Sequence, residues 1–461
     1  MTVTEHPGGD TLDIDVSTLR DHVAAPVALP GERVYERAMP WNVAVPVRPA
    51  AVVLVTSAVD VADVMRYAAP RGLRVAVQAT GHGAVPIGAD TVLILTSGLA
   101  SCVVDPVART ARVGAGVRWQ RVLDAAAAHG LAPLCGSAPG VGVVGYLTGG
   151  GVGPLVRTVG LSSDYVRAFE LVTGAGEVLW VTPDEHADLY WGVRGGKAML
   201  GVVTVVEFEL PHIPEFYGGA VYFDGASAGE VLHAWRTWCA DLPEAVNTSV
   251  AVQQLPPLPG VPEPLAGRMT VALRYTAVGD VAEARRVLAP MRAVAPVLMD
   301  TVGVHPYSAV GAVHADPVDP MPCHEDQALL RELTPEAVEA LVAAAGPGAG
   351  SPQTLVELRL LGGALARDPL HRSAFCHRDA AFALTVIGVL AAGAGEAVVG
   401  HASALTAALA PWTTGGQLPN FAPSVDPGRA ARVYREDTLH WLRALARRYD
   451  PAGVLRETSR R

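Results

Sequence analysis

Between Val52 and Leu210 short β-branched runs alternate with stretches of helical periodicity. Runs bounded by turn residues predict strands over 75–78, 92–96 and 202–210, and a 3.6-residue apolar repeat predicts a helix over 118–129. After Pro211-His-Ile-Pro214 the texture changes. A run at 220–223, a helix over 226–240, strands over 248–254 and 268–275, a helix over 281–294 and a run at 297–302 give the order β-α-β-β-α-β. That order is the split βαβ arrangement, an antiparallel sheet with its helices on one face. Strands over 354–361 and 382–390 extend the sheet, a Pro-, Asp- and His-rich loop over 313–326 interrupts it, and residues 346–350 read as a linker. A helix over 427–449 ends in Arg443, Arg447 and Arg448 and is stopped by Asp450-Pro-Ala-Gly453. The fold class is α+β, and the proline pair marks a domain boundary.

Composition narrows the partners. At 461 residues the chain exceeds one compact core and predicts two or three domains. Half of the residues are hydrophobic and 17% are charged, so an ordered globular protein is expected. A net charge of −10 without a clustered Lys/Arg stripe argues against nucleic acid. Cys102, Cys135, Cys239, Cys323 and Cys376 are odd in number and never spaced as a metal pair, so no metal site and no disulfide framework are expected. Residues 1–10 lack a basic start and an apolar core, and no run approaches ~18 apolar residues, which predicts a soluble, cytoplasmic protein without a membrane partner; a monomer and a homodimer are both left open.

Three glycine-rich stretches carry the candidate chemistry. Val75-Ala-Val-Gln-Ala79-Thr80-Gly81-His82-Gly83 ends a strand in a histidine flanked by glycines, whose free φ suits a backbone concavity for an anion or a cofactor. A strand end followed by a turn with an incidental histidine is the plainer alternative. The stretch 136–153 holds a literal G-x-G-x-x-G at Gly140, Gly142 and Gly145, with Asp164 about twenty residues on. A Rossmann turn is rejected, because Gly149-Gly150-Gly151 stand where its helix should run and each glycine costs helix stability of roughly 1 kcal/mol. Either this loop lies extended along a flat ligand, or it marks a close crossing of two chain segments. The third stretch passes from Asp188-Leu-Tyr-Trp through Gly195-Gly196 and Gly201 into a strand. Three such loops in one domain argue for one long cofactor.

The ordered set resembles the FAD-linked oxidoreductases of the vanillyl-alcohol oxidase superfamily, in the berberine-bridge-enzyme-like branch. It comprises Gly81-His82-Gly83, Gly145-Tyr-Leu-Thr148-Gly-Gly-Gly151, Gly160-Leu-Ser-Ser-Asp164, Arg194-Gly-Gly with Gly201-Val-Val203-Thr204, Phe375-Cys-His-Arg378, Pro419-Asn420-Phe421 and Tyr449-Asp-Pro451. The resemblance implies a PCMH-type FAD-binding domain of two α/β subdomains over 1–213, a substrate domain over 214–410, and a tail over 411–461 that returns to the first. It implies FAD held by Ala79, Thr80, Gly81, His82, Gly83, Val141, Gly142 and Gly145. Thr148, Gly149, Gly150, Gly153, Asp164, Gly201, Val203 and Asn420 complete that expected set. The histidine matching His82 is bonded to the flavin 8α-methyl group in the family. Many relatives add a cysteine link eleven positions before the triplet, which here is Ala138, with Cys135 out of register, so one link through His82 is expected. Valine at 141 is the oxygen-permissive residue, which implies O2 as co-substrate beside a small molecule.

The base is less legible. The resemblance places the Tyr146 phenol near the flavin N1/C2 edge as a donor to the negative charge that develops when a hydride arrives, and an ordinary loop tyrosine is the alternative. The strand where plant relatives carry a catalytic carboxylate offers only Thr385. Tyr307 and Glu357 are the remaining candidates, with His305 and His314 near the first in sequence and Arg359 on the same face as the second. Glu357 with Arg359 is equally readable as an ion pair.

Overall fold

The computed structural model describes residues 16–455; the amino-terminal stretch weighed above as a leader lies outside the described residues. Nine strands build the first domain: β1 Val27–Ala28, β2 Ala51–Leu54, β3 Arg74–Gln78, β4 Thr91–Leu95, β5 Cys102–Asp105, β6 Thr110–Gly114, β7 Val166–Val172, β8 Val178–Val181 and β9 Val202–Glu209. The first four form a sheet ordered β1-β2-β4-β3 in which β2, β4 and β3 run parallel. Their continuous apolar runs follow from burial on both faces, since Val52, Val53 and Val92 through Ile94 are wholly enclosed. Helix Ala58–Ala68 covers this sheet with Val61, Val64 and Met65, and Ser57 and Asp60 close a capping box at its start. The other five strands form an antiparallel sheet, β5-β6-β9-β7-β8, packed by helix Trp119–Ala127 through Trp119, Val122 and Leu123.

Eight further strands form one antiparallel sheet: β10 Glu215–Asp224, β11 Val246–Gln254, β12 Met269–Ala277, β13 Val297–Asp300, β14 Gly303–Pro306, β15 Cys323–Leu330, β16 Leu355–Leu360 and β17 Phe382–Val389. Their order is β13-β10-β12-β11-β16-β17-β15, with β14 alongside β10. Period-two patterning sorts the faces. Val221, Phe223, Val250, Leu273, Tyr275, Leu358 and Leu384 belong to a core shared with helices Ala228–Trp238, Val281–Arg292, Pro335–Ala345 and Gly395–Ala408. The opposite parity carries Ser249, Gln253, Arg274, Thr276, Gln327, Glu357, Arg359 and Thr385, all buried. That polar face meets the first domain: the Thr276 hydroxyl donates to Pro154 O at 2.8 Å, and Arg157 N donates to the Asn247 side chain at 2.7 Å.

Two elements differ from expectation. The loop over 313–326 gives way to β15 at Cys323, because Cys-His-Glu-Asp-Gln reads as polar although it is paired to β17 along its length. The helix over 427–449 is two helices, Arg429–Val433 and Glu436–Tyr449, separated where Tyr434 is extended and donates its hydroxyl to Gly195 O at 3.0 Å. Beyond them the tail reaches β3, where Val75 N donates to Val454 O at 2.7 Å.

Candidate active site

A cavity of about 410 Å³ runs between β3, the glycine segment 136–148, the turn 197–203 and the returning tail. At its wall stands His82. Gly81 holds φ at +74°, and a Cβ there would meet Pro40 Cα at 2.6 Å. This glycine therefore serves the close approach of the Pro40-Trp41 segment, which stacks the Trp41 ring on His82 at 5.0 Å and 15°. The Thr80 hydroxyl fixes the imidazole orientation, 2.7 Å from Nδ1. Burial first, then the Arg118 charge, pulls the His82 pKa down to about 4 against a weaker pull from Asp316, so the ring is neutral at physiological pH.

Of the residues singled out from sequence, Ala79, Thr80, Gly81, His82 and Gly83 line the cavity. So do Val141, Gly142, Gly145, Thr148, Gly201, Val203 and Asn420. Gly145 sits in helix Val143–Leu147, and a Cβ built on it meets nothing within 4 Å. Gly149, Gly150 and Gly153 do not line the cavity. A Cβ at Gly149 would strike the Asn420 amide, at Gly150 the Phe375 ring, and at Gly153 the Cys135 carbonyl. Gly149, Gly150 and Gly153 thus serve close crossings of chain segments, while Val152 between them lines the cavity. Asp164 is also displaced from its expected role, because Arg378 holds its carboxylate bidentately at 2.6 and 3.1 Å.

Two of the three catalytic candidates, Tyr307 and Glu357, are corrected by their surroundings, whereas Tyr146 lines the cavity. The Tyr146 ring packs edge-on against Trp119 at 5.6 Å, and its hydroxyl lies 3.5 Å from Ser162 Oγ, within the first domain's core. Burial raises its pKa, so the phenol stays protonated. Tyr307 is enclosed in the same core, its pKa pushed far up by desolvation, and cannot accept a proton near neutrality. Glu357 is clamped by Arg274, Arg359 and Ser249, and although burial opposes it, the two guanidiniums and His314 hold its carboxyl far below the usual range. Such a group is a poor base. His305 lies on β14 with its ring against Phe216.

Two cations in the cavity wall were missed. Lys197 follows Gly195-Gly196 and holds φ at +59°, a strained backbone for a lysine. Its Nζ donates to Gly145 O at 3.0 Å and to Asn420 Oδ1, while the Asn420 amide donates to Tyr146 O at 2.8 Å. Burial and the nearby Arg429 pull the Lys197 pKa down to about 7. Arg429 donates to Phe421 O at 2.8 Å and to Ala422 O. A lysine directly after a glycine pair was the available signal for the first; nothing in the sequence pattern marks the second. Glu325 on β15, its pKa pushed up to about 7 by burial against hydrogen bonding from Ala422, lies outside the cavity lining. Among the described residues no His/Cys/Asp/Glu cluster is suited to a metal, and no helix is long and apolar enough to cross a membrane.

Residues 49–182 match the FAD binding domain family. The (R)-6-hydroxynicotine oxidase of Paenarthrobacter nicotinovorans is 29% identical over 460 residues, 94% of this chain and 97% of that one. The solved 6-hydroxy-D-nicotine oxidase from Arthrobacter nicotinovorans superposes with a TM-score of 0.81 at 28% identity, over 94% of this chain and 97% of its own. The chitooligosaccharide oxidase of Gibberella zeae is 23% identical over 447 residues, 90% of this chain and 88% of that one. The cavity fits the cofactor these matches imply. Its wall is bare at Gly145, carries Lys197 and Arg429, and includes no carboxylate among its lining residues, as a flavin with a dianionic pyrophosphate requires.

Proposed function

We propose that this FAD-dependent oxidoreductase, which resembles the berberine-bridge-enzyme-like branch of the vanillyl-alcohol oxidase superfamily, is an oxidase of a small secondary metabolite. The substrate gives up a hydride from a CH–OH or CH–NH carbon, and the electrons pass to O2. The bound FAD supplies the two-electron acceptor that O2 reoxidises with release of peroxide. His82 is the single tether. Supporting this, His82 is neutral and oriented, Ala138 lines the cavity where a second link would start, and the Cys135 thiol is buried with its pKa pushed up to about 12.

The observation that carries the reading is the cavity itself, with the neutral, oriented His82 at its wall and Lys197 and Arg429 facing no carboxylate in its lining. On the buried polar face of the second sheet, Thr270 Oγ1, Arg274 Nε and Gln327 Nε2 have no hydrogen-bond partner, which suits a layer that handles a polar substrate. With Tyr307 and Glu357 withdrawn as bases, a CH–NH carbon fits better than CH–OH. A neutral amine drives hydride loss with its own lone pair, whereas an alcohol must also lose its hydroxyl proton. A cytoplasmic location belongs to the same proposal. The test is O2 uptake and peroxide release by the holoprotein over a panel of small amines and alcohols. Peroxide from an amine is expected. Product formation without O2 uptake would replace the oxidase with a redox-neutral cyclase, and turnover of oligosaccharides alone would replace it with a carbohydrate oxidase.

A further inference from the structure

The charges on the buried sheet face do not cancel. Arg274 on β12, Ser249 on β11 and Arg359 on β16 stand in one register row. Glu357, two residues before Arg359 on the same face, accepts from Arg274 Nη1 and Ser249 Oγ, each at 2.7 Å, and from Arg359 Nη2 at 3.1 Å. His314 enters from the loop above, its Nε2 3.1 Å from Arg359 Nη2 and 3.3 Å from Glu357 Oε1. Burial and the two guanidiniums keep this ring neutral. Two full positive charges therefore face one negative charge, on residues exposed by only 4% (Arg274), 8% (Arg359) and 5% (Glu357). An uncompensated charge at such depth is costly unless an anion shares the site.

Two atoms mark the place open to an anion. Arg274 Nε and His314 Nδ1 are buried without a hydrogen-bond partner, and both residues line a cavity of about 20 Å³. Ser249, Asn247 and Arg359 line it as well, and its opposite wall is Gly153-Pro154. The residue before that pair, Val152, lines the flavin cavity, so the two cavities share this segment of the chain in their walls. The volume admits a group about the size of one water, which one oxygen of a carboxylate matches. A single net positive charge and a pair of planar guanidiniums suit a carboxylate better than a bulkier dianion such as phosphate.

We propose that this cavity is the anion subsite of the active centre and binds the carboxylate of the substrate, which makes the substrate a small amine or alcohol bearing a carboxylic acid. The assignment rests on the flavoenzyme reading above, but its first test does not depend on turnover. Formate is the probe, formamide its neutral twin, and chloride at equal ionic strength the control. In thermal unfolding of the holoprotein, formate is expected to raise Tm saturably, while formamide and chloride do not. Glu357→Gln raises the local charge and is expected to tighten formate binding by about tenfold or more, and Arg359→Gln to weaken it by at least as much. Because either variant can fail to fold, the wild-type comparison stands by itself: equal shifts with formate and formamide, or with formate and chloride, overturn the subsite. In turnover, an acid is expected to show a KM about tenfold or more below that of its methyl ester. Esters oxidised as well as acids overturn the substrate class. Peroxide production without a formate response sinks the subsite alone, and a formate response without peroxide from any substrate sinks the oxidase reading alone.

Discussion

Lys197 and Arg429 in the flavin cavity lean on carbonyl and amide oxygens, whereas Arg274 and Arg359 on the sheet face share a carboxylate. In the first region the cations have neutral partners, and the wall includes no acid. It is arranged to receive a large anion from outside. In the second the charge is largely neutralised from within and one unit is left over beside a small cavity. The difference separates a site whose fold stands without its ligand from one whose ion cluster is part of the fold.

The largest effect expected concerns the tether. His82→Ala should abolish acid-stable flavin, leaving the precipitated protein colourless and the flavin in the supernatant. Next, Glu357→Gln removes the single negative charge between two buried guanidiniums and should lower the unfolding free energy by about 3 kcal/mol in a denaturant titration, while Lys197→Met in the other region should change it by less than about 1 kcal/mol. Similar losses for the two would erase the contrast. The glycines sharpen it further. Gly150→Ala meets the Phe375 ring at a φ of +95° and should destabilise the apoprotein by about 2 kcal/mol. Gly145→Ala, in open space on a helix, should leave apoprotein stability unchanged or slightly raised yet weaken FAD binding, read by flavin fluorescence.

The smallest effect is a pH dependence. The Lys197 pKa of about 7 in the empty cavity rises when an anion docks beside it, so FAD binding takes up a proton. For the untethered His82→Ala protein, affinity should be full below pH 7 and fall with rising pH by at most about 1.4 kcal/mol per unit. Adding Lys197→Met should flatten that slope.

These contrasts also explain what the sequence disclosed. The alternation around Gly81-His82-Gly83 and the split βαβ order were readable because burial writes period two and period 3.6 directly into the apolar positions. The glycine triplet was misread because a glycine required by a ligand and one required by Phe375 look alike in sequence. β15 was hidden because Cys-His-Glu-Asp-Gln is polar on both parities, and periodicity detects only one-sided burial. Arg274 left a faint signal, a lone arginine between Leu273 and Tyr275 with Thr270 and Thr276 on its parity. Its meaning depended on β11 and β16, which pair across sequence gaps that local patterns do not span.

Mass spectrometry of the proteolysed holoprotein addresses the central claim most directly. A single flavin-bearing peptide containing His82, with Cys135 recovered as an unmodified thiol, is the predicted result. A flavin adduct on Cys135, or flavin recovered wholly free of peptide, would contradict it.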